Sequence, residues 1–168
     1  YCHSFAKSYG IETVCLRFGN VYGPHSIHKK GSVNTFIKNI INEKPIVIYG
    51  DGKASRDYIF IEDLCTGIEF ALNASIKKGE VFHLATGRET TTYELAKMLC
   101  DISKKTEHPL ELREARCGEV YRNFANYKKA YKYLKFTPKY ELEEGLKFTW
   151  DWFSSVKTEI LNMNEYDG

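Results

Sequence analysis

Leu16-Arg17-Phe18-Gly19-Asn20-Val21-Tyr22-Gly23-Pro24 and, further on, Tyr49-Gly50-Asp51-Gly52-Lys53-Ala54-Ser55-Arg56-Asp57-Tyr58 are the two stretches on which the reading of this chain turns. The first completes a β-branched and apolar run from Thr13 to Phe18. That run predicts a short buried strand feeding a polar turn at Asn20–Pro24. The second joins the apolar run Ile46-Val47-Ile48 to a Gly-Asp-Gly turn of residues that tolerate positive φ, in a hairpin-like setting. Another extended run, Asp57–Ile61, follows it.

Outward from these stretches, strand and helix signals alternate. Residues 1–9 read as the last turns of a helix stopped by Gly10. Ser32 can cap a helix carrying Val33, Phe36, Ile37, Ile40 and Ile41 at helical spacing, and Pro45 blocks its continuation. Leu64, Ile68, Ala71 and Leu72 mark a helix ending before Gly79, and Val81 to Leu84 a strand. Thr91-x-x-Glu94 is a capping-box pattern ahead of Leu95, Met98, Leu99 and Ile102. A strand at Leu110–Arg113 and helices around 127–134 and 142–153 complete the series, the last with Leu142, Leu146, Trp150 and Phe153 on one face. The alternation predicts an α/β fold in a single unit over residues 1–157, with a polar, frayed tail over 158–168.

Composition bounds the function. The chain has 168 residues, 43% apolar and 27% charged, which suits one domain with a real core. A net charge of +2 makes neither nucleic acid nor membrane a default partner. Cys2, Cys15, Cys65, Cys100 and Cys117 are odd in number and unpaired in spacing, which reads as reduced thiols in a cytoplasmic protein. The five histidines lack metal-ligand spacing, so no metal site is expected. No segment is apolar for long enough to cross a bilayer.

Four side chains have chemistry suited to anion and ring recognition. Arg56 follows the Gly-Asp-Gly turn, and Arg116 sits in Arg116-Cys117-Gly118-Glu119, where Gly118 permits a tight turn. Guanidinium groups offer planar, paired donors to phosphate. Asn20 lies past the C-terminal end of a strand, where open α/β sheets bind ligands. Tyr49 closes a strand and could stack on a base. By spacing alone each also has a plainer reading: surface salt bridge for the arginines, turn conformation for Asn20, cross-strand packing for Tyr49. His28-Lys29-Lys30 is either a phosphate neighbour or a solvated loop, and Glu62-Asp63 a pair favoured by a helix dipole.

The two stretches, in this order, resemble the second half of an extended short-chain dehydrogenase/reductase of the NAD-dependent epimerase/dehydratase family, most like its UDP-glucose 4-epimerase group. The resemblance runs from residue 1 to about 153. It implies a C-terminal substrate-binding lobe plus the last strands of an NAD(P)-binding Rossmann-like fold, with a nucleotide-diphosphate sugar as ligand. Asn20 would bond the substrate's phosphate side, and Ser32 and Val33 would meet the base on which Tyr49 stacks. Arg56 and Arg116 would hold the diphosphate, Glu119 the ribose hydroxyls, and the backbone at Phe18 would face the nicotinamide of NAD. Relatives often carry an aromatic residue where Gly19 stands, so space is expected to open there, and Asp where Asn126 stands.

The family's Tyr-x-x-x-Lys does not occur here: four residues after Tyr1 stands Phe5, and after Tyr9 stands Thr13. No catalytic residue is therefore assigned, and the resemblance implies that the pair lies upstream of residue 1. No Gly-x-x-Gly-x-x-Gly is present either, so NAD, the parent enzyme's cofactor, is not expected to stay with this chain. The implied parent is homodimeric through helices largely outside this piece. The strands at 13–18 and 81–84, without neighbours, are expected to expose apolar edges and to promote self-association. A 4,6-dehydratase of the same family and a non-catalytic sugar-nucleotide module are the alternative readings.

Overall fold

Val33, Phe36, Ile37, Ile40 and Ile41 are all buried on one face of a helix, and that face seeds the larger of two cores. The computed structural model describes residues 1–76 and 78–163. In chain order its elements are α1 (Cys2–Tyr9), β1 (Thr13–Phe18), β2 (Asn20–Tyr22), α2 (Ser32–Ile41), β3 (Ile46–Tyr49), β4 (Ser55–Arg56) and β5 (Tyr58–Phe60). Then follow α3 (Ile61–Asn73), β6 (Lys78–Leu84), β7 (Thr90–Thr91), α4 (Thr92–Ile102), β8 (Leu110–Arg113) and β9 (Arg122–Asn123). Three helices close the series: α5 (Lys128–Leu134), α6 (Leu142–Ser155) and α7 (Lys157–Met163).

The strands form small, mostly parallel ladders: β1 with β6, β2 with β5, β3 with β8, and a three-stranded sheet in the order β7-β4-β9. The α/β class stands. The Gly-Asp-Gly turn has the expected left-handed backbone at Gly50 and Gly52 (φ 69° and 75°). It does not make a hairpin, because β3 leaves it to pair with β8 while β4 pairs with β7 and β9.

Sequence-distant pairing also rewrites the expected turn at Asn20. The Gly19 N–H donates to Leu84 O at 3.1 Å, and the next N–H, that of Asn20, donates to Asp57 O at 2.6 Å. The chain thus changes partner from β6 to β5 across a single residue, and Asn20–Tyr22 becomes a strand. A Cβ on Gly19 would lie 2.7 Å from Asp57 O. The space expected at Gly19 is therefore filled by the neighbouring backbone. β1 is likewise not buried: its first four residues are half-buried, and Phe18 is 56% exposed.

The larger core joins α2, β3, α4 and α6, and the second packs α3 and α5 on β6 through Leu64, Phe82, Leu84, Leu134 and Phe136. The Thr91–Glu94 capping box forms as expected, with Glu94 N donating to Thr91 Oγ1 and Thr91 N to Glu94 Oε2. Ser32 does not cap its helix: Gly31 is the N-cap, and Ser32 begins the first turn. On α3, Ile68 and Leu72 are exposed rather than packed. With Val14 and Leu16 they line an open apolar groove of about 200 Å³. The frayed tail expected from 158 begins instead as α7, anchored by Ile160, which is 1% exposed. The rest of that tail, 164–168, lies outside the described residues.

Two buried carboxylates tie the ladders together. Asp57, 2% exposed, accepts from the Thr86 N–H (2.9 Å), the Thr86 hydroxyl (2.7 Å) and the Gly87 N–H (2.9 Å). The Ala125 N–H adds a longer bond at 3.4 Å. Asp63 accepts from the backbone N–H groups of Lys139 and Tyr140 at 2.9 and 3.1 Å. The Glu62-Asp63 pair does open α3, as a dipole reading requires, but Asp63 is turned inward to hold the approach to α6.

α6 crosses β2 and β5 where Gly145 presents no side chain; a Cβ there would meet the Tyr22 hydroxyl and lie 2.9 Å from Phe60. Alanine favours a helix over glycine by about 1 kcal/mol. Overpacking costs about 1–3 kcal/mol, and both aromatic neighbours are buried. Because the added Cβ would meet two buried rings, the upper part of that range applies, and Gly145→Ala is expected to lower stability by up to about 2 kcal/mol net in urea denaturation. An unchanged or raised midpoint would refute this packing. Asp57→Asn places an amide against N–H donors, each costing about 1–3 kcal/mol when left unpaired. A loss of about 2 kcal/mol is expected, and a variant within 0.5 kcal/mol (roughly the scatter of neutral surface changes) would show that the clamp is dispensable.

Candidate functional site

Arg56 lies on the central strand of the β7-β4-β9 sheet, so its side chain leaves from a braced backbone. The bracing continues outward. Ser55 donates through its hydroxyl to Glu89 at 2.8 Å, and Arg122 grips the same carboxylate with two bonds of 2.6 Å. Arg122 and Ser55 together hold the Glu89 carboxyl below its ordinary range. Arg56 itself donates to Ser55 O at 2.8 Å and stands 3.6 Å from Glu119, a pair of half-buried side chains.

Glu119 reaches Arg56 because the loop after β8 folds back on itself. Gly118 has φ 76°, and the Glu119 N–H closes the turn onto Arg116 O at 3.2 Å. The same turn lays the Arg116 guanidinium over the Tyr49 ring, 3.7 Å from its centroid. Tyr121 fastens the loop to the Gly-Asp-Gly turn through Asp51 at 3.2 Å. Arg116, by hydrogen bonding first and charge second, with Arg113 behind it, lowers the Tyr49 phenol below its usual value. Tyr49 thus meets a cation before it meets any ring: one aromatic face is covered by Arg116.

Two adjoining clefts bring the candidates together. One, of about 240 Å³, is lined by Ser32, Tyr49, Arg116 and Glu119, with Phe36 and Thr92 among its walls. The other, of about 320 Å³, is lined by Asn20, Ser32, Val33 and Tyr58. Lys30 and Ser32 belong to both, so the clefts run into one another across the start of α2. Seven of the eight candidates, Asn20, Ser32, Val33, Tyr49, Arg56, Arg116 and Glu119, share this trough or its edge. Phe18 lies apart, at the exposed end of β1.

One wall residue, Tyr58, lies outside the candidates that the sequence offers: it opens β5 two residues beyond Arg56, with the intervening Asp57 bonded to Thr86. Lys30, from the basic run His28-Lys29-Lys30, lies at the seam of the two clefts because of the path of the loop before α2. No group of three or more potential metal ligands occurs among the described residues.

Chemically, the trough joins the Arg116 guanidinium, an aromatic platform, an amide, a helix start and one carboxylate, with the Arg56 guanidinium behind that carboxylate. It can hold a polyanion beside a flat ring and offers a carboxylate to hydroxyl groups. Among these residues no nucleophile is paired with a base.

The sequence model of the NAD dependent epimerase/dehydratase family matches residues 1–85. A putative UDP-glucose 4-epimerase of Methanocaldococcus jannaschii is 33% identical over 163 residues, covering 92% of this chain and 50% of that protein. A dTDP-glucose 4,6-dehydratase of Actinoplanes is 27% identical over 92% of this chain and 48% of its own length. Among solved structures, the UDP-glucose 4-epimerase of Thermotoga maritima with UDP-glucose superposes with a TM-score of 0.84 at 34% identity, over 91% of this chain and 49% of that one. The chain spans about half the length of the curated relatives it matches.

Proposed function

The chain belongs to the NAD-dependent epimerase/dehydratase family, and from that premise we propose that it is the substrate-binding part of a nucleotide-sugar 4-epimerase of the UDP-glucose type. Its residues hold the nucleotide diphosphate while the sugar is oxidised at C4, turned and reduced again. The observation that carries this reading is the trough in which Arg56, Arg116, Tyr49 and Glu119 meet Asn20 and the start of α2. Two guanidiniums match a diphosphate, Tyr49 a base, Glu119 a ribose diol and Asn20 the phosphate side nearer the sugar. The work of these side chains is orientation, which lowers a barrier by fixing the reacting sugar without making bonds to it.

The family is NAD-dependent. The 168-residue sequence lacks the Gly-rich strand-to-helix loop that would hold a dinucleotide's phosphates, and Phe18, the position that the reading turns toward nicotinamide, lies exposed at the C-terminal end of β1. No step is therefore assigned to the cofactor on these residues. A 4,6-dehydratase reading draws on the same trough and on the Actinoplanes relative; the Tyr49–Arg116 platform would serve it equally. Among the described residues no helix is long and apolar enough to cross a membrane; the five free cysteines are what supports a cytoplasmic location.

Self-association is the second part of the reading. β1 and β6 each have one strand neighbour among the described residues, and the apolar groove beside β1 is open. A second copy of the chain would cover it. Sedimentation is expected to give a weight-average mass that rises with concentration; a concentration-independent monomer with a cooperative melt would refute this.

Calorimetric titration with UDP-glucose tests the site. Wild type is expected to bind, and Arg56→Ala and Arg116→Ala each to lose about 1.5–3 kcal/mol, or more than tenfold in Kd, as for hydrogen bonds to charged groups. Binding unaffected by both substitutions would remove the diphosphate assignment, and a folded wild type that binds nothing would remove the reading itself.

A further inference from the structure

Cys2 opens α1 and Cys15 lies within β1, and the fold brings these two elements against each other. The Thr13 hydroxyl donates to the carbonyl oxygen of Cys2 at 3.1 Å. The first turn of α1 also rests on Gly79, where a Cβ would lie 2.4 Å from the His3 Cα. Gly79 (φ 74°) stands between Lys78 and Glu80, the register partners of Thr13 and Val14, so helix and ladder meet at the first residues of β1. Sides alternate along a strand. Val14 and Leu16 line the apolar groove beside α3, which leaves Thr13 and Cys15 on the face where α1 lies.

The two thiols meet there. Cys15 hydrogen-bonds to the Cys2 side chain, and that bond, with burial second, holds its thiol above the ordinary range. Cys15 is thus the protonated member of the pair at neutral pH. Cys2 is exposed and open to reagents, while Cys15 is half-buried. The remaining cysteines belong elsewhere: Cys65 to α3, Cys100 to the larger core and Cys117 to the loop after β8. Alone, either Cys2 or Cys15 has a plain reading as a small apolar side chain. Together, with their side chains already bonded, they need only a rotation about the side-chain torsions to reach disulfide geometry.

We propose that Cys2 and Cys15 are a redox pair that closes to an intramolecular disulfide, tying α1 to β1. The oxidant is a small-molecule disulfide such as oxidised glutathione. The Cys2 thiolate attacks one of its sulfurs, and the glutathione thiolate that leaves takes up the proton Cys2 has lost. Cys15 then gives up its own proton and attacks the Cys2 sulfur of the mixed disulfide. The second glutathione departs with that proton. Two protein thiols are oxidised, and one glutathione disulfide is reduced to two thiols. In a reducing compartment the pair rests as the dithiol, and closure answers a shift toward oxidising conditions. β1 runs on from the tie to Gly19 and Asn20, so the bond stiffens the strand that enters the trough. The pair itself lies outside the trough, and its chemistry is independent of what binds there.

Incubation of the native whole chain with oxidised glutathione tests this, read by alkylation of the remaining thiols, tryptic digestion and mass spectrometry. Trypsin cuts after Lys7 and Arg17, which puts Cys2 and Cys15 on the separate peptides 1–7 and 8–17. The two peptides are expected to be joined, from a chain whose intact mass is that of a monomer, and dithiothreitol is expected to part them. The oxidised chain is expected to melt about 5–10 °C higher, the effect of closing a short loop in a chain of this size. Cys2→Ser and Cys15→Ser should each abolish the link and the shift, and Cys65→Ser should leave both. Wild-type peptides that stay separate, as alkylated thiols or as glutathione adducts, would overturn the proposal. A link from Cys2 or Cys15 to a different cysteine or to a second chain would overturn it as well. So would an oxidised chain that melts no higher than the reduced one, because the bond would then strain the contact it is meant to hold.

Discussion

The structure depends on one buried carboxylate. Asp57 sits between the strand that aims Arg56 and the strand that carries Tyr58, and it accepts donors from the loop after β6 as well as from residue 125. Its own carbonyl receives the Asn20 N–H. Three separate parts of the sequence are therefore referenced to a single residue. Charge-assisted bonds inside a low-dielectric interior are strong and directional, and an unmatched partner there is costly. The trough inherits its geometry from that constraint: Asn20 lies on one side of Asp57 and Arg56 on the other.

Around this point the two cores play different parts. The larger one, built from α2, β3, α4 and α6, fixes the start of α2 and the end of β3, hence Ser32, Val33 and Tyr49. The smaller one, on β6, supports β1 and leaves its outer face open. Well-packed walls are consequently found where the trough lies, while the least covered apolar surface is on the far ladder. Close approach of α6 to the β2–β5 ladder at Gly145 connects the first core to the residues beneath Asn20 and Tyr58.

Local signals carried much of this into the sequence. Thr13–Phe18 is β-branched and apolar over most of its length, Leu110–Arg113 carries only an alternation of leucine with charge, and both form strands with those bounds. Thr91 and Glu94 need only each other to make a capping box. What escaped was set by distant partners. Asn20–Tyr22 sits among turn-forming glycines and becomes a strand because residues 58–60 lie beside it. Ser32 has the chemistry of a cap, yet the helix begins one residue earlier than that role requires. Ile160 stands with Leu161 and Met163 in an otherwise polar stretch, too short for periodicity to register, and it is buried where α7 meets α2. Among the candidate residues, the arginines and Glu119 were legible through their motifs. The stack of Arg116 on Tyr49 was not, because it depends on how a loop of irregular backbone returns across β3.

The Arg56–Glu119 pair gives the trough a property that a list of its cations would miss. In the free protein this guanidinium already has a carboxylate beside it, so the site is not a bare positive hole awaiting an anion. On the proposed reading, a phosphate reaching Arg56 would exchange with Glu119 rather than simply add to the guanidinium, and the net gain would be the difference between two charge-assisted contacts. Small anions with a single charge gain little by such an exchange. A group with several oxygens and more than one charge gains more, particularly when it also brings hydroxyls for the carboxylate it displaces. If the proposed site binds as described, selectivity against simple salts would follow from a contact internal to the protein.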